Sequence, residues 1–159
     1  MRPCVSARGH GHRSSGFSLT ELLAALAVLS IILASAAPGF AAFLRGQQVR
    51  SLAQELASDL LLARSEAIKR NLPVSLVGSA SGLAGGWAVV VGTERLSSRN
   101  QPPLTVDFAN APDAITFDEN GRVGALSSNI RITVGNAEAS RCVELDLSGR
   151  ARTHYGSCT

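Results

Sequence analysis

From Leu22 to Leu44 the chain carries no charged side chain, and this run constrains every other part of the sequence. As an α-helix it would reach about 34 Å at ~1.5 Å per residue, enough to cross a hydrocarbon core about 30 Å thick. Residues 1–16 hold arginine, histidine, serine and glycine without an apolar run, and Gly16-Phe17-Ser18-Leu19-Thr20-Glu21 leads from them into the span. A signal that is removed on export places its apolar core before a small-residue cleavage site. Here the polar leader and the plausible cut come first, so cleavage between Gly16 and Phe17 keeps the apolar helix in the mature chain. Arg2, Arg8 and Arg13 hold the leader on the cytoplasmic side, and Arg45 and Arg50 beyond the span weaken that asymmetry without reversing it. Pro38-Gly39 interrupts the run. Proline removes a backbone donor and clashes with the preceding turn, so a bend is expected there.

Charge follows the same division. Fifteen Lys and Arg face twelve Asp and Glu, a formal +3. Three of the arginines lie in residues 1–16 and every acidic residue lies after them, so the remaining chain has twelve of each and is neutral. Bulk charge therefore makes no case for nucleic acid, and any such case must come from local clustering. Past Cys4 only Cys142 and Cys158 remain. An even pair beyond an export signal fits a disulfide formed in an oxidising compartment. No metal site is expected: two thiols with His154 do not complete a four-ligand set, and His10 and His12 belong to the polar leader. No cofactor is expected either. His154 has no nucleophile motif beside it, and Gly82 to Gly86 reads as a turn rather than a phosphate loop. The chain does not read as an enzyme.

Beyond Arg45, Val49, Leu52, Ala53, Leu56, Leu60, Ala63 and Ala67 recur at three- and four-residue spacing and make one apolar face, with Arg50, Gln54, Asp59 and Arg64 off the stripe. Glu66 and Arg70 form an i,i+4 pair, and Asn71 and Pro73 stop the helix. One helix from about Ser18 to Arg70 is expected. The remainder alternates as strands over residues 73–78, 86–92, 114–118, 129–135 and 142–147, separated by turn clusters at 79–86, 99–103, Asn120-Gly121 and Gly149. The fold class is α+β, a long N-terminal helix laid on antiparallel sheet.

The motif Gly16-Phe17-Ser18-Leu19-Thr20-Glu21-Leu22 followed by an apolar run resembles the class III leader of type IV pilins and type II secretion pseudopilins. Leu62 to Val74, Gly86-Trp87-Ala88-Val89 and Ile115-Thr116-Phe117-Asp118-x-x-Gly121-Arg122 narrow it to FimT-type minor pilins and GspH pseudopilins. That resemblance implies a type IV pilin-like fold: residues 1–16 a leader, 17–44 a transmembrane and assembly helix, and 45–159 a head with helix over 45–70 and β-structure over 73–159. It implies that prepilin peptidase cuts after Gly16 and N-methylates Phe17. It implies a single-pass protein of the bacterial inner membrane with its head in the periplasm, later joining other pilin or pseudopilin subunits in a pilus or pseudopilus. Glu21 has two readings. Ser18-x-x-Glu21 has capping-box spacing, while the family implies pairing of Glu21 with the N-terminal amine of a neighbouring subunit.

After Asp146 no acidic residue remains, and Gly149-Arg150-Ala151-Arg152-Thr153-His154-Tyr155 follows. If extended, Arg150, Arg152 and His154 share one face, and arginine forks suit phosphate oxygens. The bland alternative is an edge strand kept soluble by charge. Gly149-Arg150-x-Arg152 resembles the tail of FimT-type minor pilins associated with DNA binding in natural transformation, which implies weak, non-specific DNA binding here. A pseudopilin of type II secretion, with protein partners only, is the competing reading.

The leader assignment makes a direct prediction. Gly16 admits close backbone approach at the cut because it has no Cβ. Gly16→Val is expected to leave the precursor uncut in cells holding the peptidase, and a normally shortened band on a gel would reject this cleavage site.

Overall fold

The computed structural model describes residues 17–102, 106–124, 129–135 and 139–158. The leader and Gly16 lie outside the described residues. Of the described residues, those up to Gly39 belong to one unit and those from Phe40 onward to a second.

Helix α1 runs Leu19–Arg70. Ser18 caps its start: the Ser18 Oγ accepts from the Glu21 amide at 3.2 Å, satisfying one of the donors that a helix start leaves free. In the first unit the apolar side chains, including Leu22, Leu26, Leu29 and Ile32, are exposed, and the helix is long and apolar enough to cross a membrane. At the other end Asn71 takes a left-handed conformation at φ 54°. The Leu72 amide then donates to the Ala67 carbonyl at 3.3 Å, which is a Schellman closure. Glu66 and Arg70 pair as their spacing requires, at 2.7 Å, and Arg70 continues to Glu94 at 2.6 Å.

Among the described residues, the second unit adds eight antiparallel strands in two sheets. β1 (Val74–Ser79), β2 (Gly82–Val91), β3 (Glu94–Asn100) and β5 (Ala114–Phe117) form one, in the order β3-β2-β1-β5. β4 (Asp107–Ala109), β6 (Ile130–Gly135), β7 (Ser140–Leu145) and β8 (Ala151–Tyr155) form the other, in the order β4-β6-β7-β8. The expected single helix and antiparallel strands are present, with the strands divided between two sheets. One core joins them. Val49, Ala53, Leu56, Leu60, Ala63 and Ala67 of α1 are buried with Val74, Leu76, Val89, Ile115 and Phe117 of the first sheet and Ile132, Val134, Val143 and Leu145 of the second.

Two sequence expectations change. Gly82 to Gly86 is not a turn but the first half of β2. At Gly86, φ is 103° and a Cβ would strike the Arg99 carbonyl of β3. Glycine is there because two backbones approach closely within a sheet. Arg99 and Asn100, expected to open a turn cluster over 99–103, instead end the edge strand β3, and Pro103 lies outside the described residues.

Asp59, expected off the buried stripe, is only 4 % exposed. Its Oδ2 accepts from the Trp87 indole at 2.9 Å and the Arg99 guanidinium at 3.1 Å, and its Oδ1 from the Ser97 hydroxyl at 3.4 Å. Trp87 and Arg99 are cross-strand partners of β2 and β3, so one helix carboxylate ties α1 to two strands. The hydrogen bond to Asp59, then the Asp59 charge, holds the Arg99 guanidinium above its usual range. Removing it leaves a buried indole N–H without an acceptor. Asp59→Ala is expected to lower stability by about 2–3 kcal/mol in urea unfolding. A loss below about 0.5 kcal/mol would show that this contact does not anchor the helix.

Candidate functional site

Two places carry the residues singled out in the sequence: the start of α1 and the hairpin of β7 and β8. At the first, Phe17 and Glu21 are exposed. The cap is made by Ser18. The Glu21 carboxylate has no hydrogen bond or ion pair to another described residue. Local capping therefore leaves that carboxylate available.

The hairpin is built by Asp146-Leu147-Ser148-Gly149-Arg150. The Asp146 amide donates to the Arg150 carbonyl at 3.1 Å and the Gly149 amide to the Asp146 carbonyl at 2.9 Å. The Asp146 carboxylate accepts from the Ser148 hydroxyl and the Arg150 amide. The Ser148 hydroxyl above all, then that amide, holds the Asp146 carboxyl below its usual range. Gly149 is buried at φ 77°, and a Cβ there would collide with the Gly121 carbonyl oxygen. Its role in this structure is to permit the turn and the close contact.

A second turn has the same construction. Over Asp118-Glu119-Asn120-Gly121-Arg122 the Asp118 amide donates to the Arg122 carbonyl at 2.9 Å and the Gly121 amide to the Asp118 carbonyl at 2.8 Å. The Arg122 amide donates to the Asp118 carboxylate at 2.8 Å. The two turns touch through Gly121 and Gly149, and the Arg64 Nε donates to the Gly121 carbonyl at 3.1 Å. The signal was present in the sequence as Asp-x-x-Gly-Arg written twice. Arg122 and Arg150 are both exposed, one residue after these paired glycines.

β8 is an edge strand of its sheet. Arg152 stands opposite Glu144 of β7, and His154 opposite Cys142. The tail cations were expected to lack acidic neighbours, and here the structure differs. Glu144 accepts from Arg131 at 3.2 Å and Asn129 at 3.3 Å, and lies 3.7 Å from His154. The Arg131 hydrogen bond, then that of Asn129, holds the Glu144 carboxyl below its usual range. Cross-strand register, which a one-dimensional reading of the tail does not contain, puts this carboxylate among the arginines.

Cys142 and Cys158 form a disulfide, and the Cys158 amide donates to the Thr133 hydroxyl at 3.0 Å. The chain end is thus drawn back across β7 and β6. Beside it, Tyr155 is paired in register with Arg141, whose guanidinium lies 3.9 Å from the centre of the tyrosine ring. Among the described residues no group of three or more His, Cys, Asp and Glu is placed to hold a metal.

Residues 52–149 match the family described as Type II transport protein GspH, and residues 11–37 match the Prokaryotic N-terminal methylation motif. Two crystal structures of the type IV minor pilin FimU of Pseudomonas aeruginosa (strain PAO1) share the fold. The first has a TM-score of 0.57 at 22 % identity, over 69 % of this chain and 99 % of that one. The second has a TM-score of 0.56 at 20 % identity, over 69 % and 89 %. No match is found among curated proteins.

The staple predicts a stability difference. A disulfide across a sequence separation of 16 constrains the unfolded chain by roughly 3 kcal/mol in the chain-entropy account. Cys142→Ser with Cys158→Ser is expected to lose about that much in urea unfolding of the detergent-solubilised protein. A double mutant as stable as wild type would mean that the reduced tail is held equally well by its hydrogen bonds.

Proposed function

Because the chain belongs to the GspH family of pilin-like subunits, we propose that it is a minor pilin of a type IV pilus that also binds DNA. In this reading prepilin peptidase cuts after Gly16 and methylates Phe17. The apolar helix anchors the subunit in the inner membrane before assembly, and Glu21 pairs with the amine of a neighbouring subunit. The uncommitted Glu21 carboxylate supports that last step, because a charge beside an apolar span needs a partner.

The DNA role rests on one observation: Arg150 and Arg152 are exposed at the start of an edge strand whose far end is stapled. Stapling reduces the ordering needed on binding. With few phosphate contacts, affinity should be weak, steeply salt-dependent and nearly blind to sequence. The likeness to FimU, itself a type IV minor pilin, also favours the pilus. A second reading, a GspH-type pseudopilin of type II secretion, is favoured by Glu144, which faces Arg152 and reduces the local positive charge.

The two readings separate in a binding assay. The full-length processed protein in detergent should bind duplex DNA at low salt. Arg150→Gln with Arg152→Gln should abolish binding with the fold intact, and each lost phosphate contact should lower the log–log salt slope by about 0.9. If the double mutant binds as wild type does, or wild type does not bind at low salt, the pseudopilin reading is the better one.

A further inference from the structure

A cleft of about 370 Å³ opens between α1 and the β7–β8 edge, lined by Arg50, Ala53, Gln54, Arg141, Thr153, His154 and Tyr155. No carboxylate is among its lining residues. Arg50 and Gln54 lie one helical turn apart on α1. Arg50 is exposed and has no ion pair among the described residues. Arg141 enters from β7, its guanidinium carbon over the Tyr155 ring at 3.9 Å from the centroid. Tyr155 itself is 88 % exposed. Two guanidiniums without acidic partners among the described residues, a hydroxyl and an amide therefore surround one opening, with an aromatic ring at its rim.

We propose that this cleft takes a single-stranded stretch of DNA, with a phosphate held by Arg50 and Arg141 and an adjacent base stacked on Tyr155. The inference rests on the reading of the chain as a DNA-binding subunit and adds which form of DNA it engages. Guanidinium forks match phosphate oxygens, and the stack on Tyr155 holds the Arg141 fork in place before binding. A ring at the rim can receive a base only when that base is free of its pair and its neighbours, which duplex DNA does not offer. Side chains alternate along β8, so Arg152 and Tyr155 lie on opposite faces of the edge. A flexible single strand can pass around that edge and meet both, whereas a stiff duplex reaches one face.

The test compares a short oligothymidylate with a duplex of equal length, by fluorescence anisotropy on the full-length processed protein in detergent. Tyr155→Ala should weaken oligothymidylate binding about tenfold, the scale of one lost base stack, and leave duplex binding within about twofold. Tyr155→Phe should keep both, since the ring remains. Arg50→Gln should lower the oligothymidylate salt slope by about 0.7. Arg150→Gln with Arg152→Gln should abolish duplex binding and weaken oligothymidylate binding. Wild type that binds duplex but not oligothymidylate, or Tyr155→Ala that binds oligothymidylate like wild type, overturns the cleft and leaves the tail reading standing. Loss of oligothymidylate binding in Tyr155→Ala, with duplex binding untouched by Arg150→Gln and Arg152→Gln, supports the cleft and removes the tail. Wild type that binds neither overturns both.

Discussion

The head is organised by one stripe of α1. Val49, Ala53, Leu56, Leu60, Ala63 and Ala67 meet residues of both sheets in one core. Three of the six are alanines, which let backbone lie close to strand. Large side chains in those places would push the sheets away, while polar ones would leave unpaired groups in the core. Trp87 adds a polar fixed point. Its indole reaches Asp59 of the helix, and its ring meets Phe108 of β4 edge-on at 5.9 Å. Helix, first sheet and second sheet therefore converge on one side chain, and the second sheet carries the basic hairpin.

That hairpin combines two requirements that conflict. Cations gathered on one hairpin repel one another, and an edge strand offers its backbone to any passing chain. Glu144 between Arg131 and His154 moderates the first. The second is met by charge on β8 and by the disulfide that folds the chain end back, in line with the ways natural edges avoid pairing. The same devices that keep β8 soluble also leave Arg150 and Arg152 exposed.

Much of this was legible in the residues. The helix could be read from apolar spacing, its start from Ser18, its end from Asn71 and Pro73, and the disulfide from an even cysteine pair beyond an export signal. What escaped had a shared cause. Gly82 to Gly86 looked like a turn because glycine serves both turns and close strand approach, and only the facing strand decides which. Asp59 looked like a solvated charge because its acceptors' partners, Trp87 and Arg99, lie 28 and 40 residues away. Glu144 was invisible as a neighbour of Arg152 because register is a property of two strands. The repeated Asp-x-x-Gly-Arg was readable, but its meaning needed the contact between the two copies.

The contact between Gly121 and Gly149 acts as a steric ruler. Each glycine is followed by an exposed arginine, and each turn is closed by its own aspartate. The separation of the two arginine anchors is therefore set by van der Waals contact and backbone hydrogen bonds. Salt concentration changes how strongly those cations attract an anion, but not how far apart their backbones stand. Sequence drift is constrained in the same way: a side chain at position 149 collides with the carbonyl at 121, so the two turns must change together.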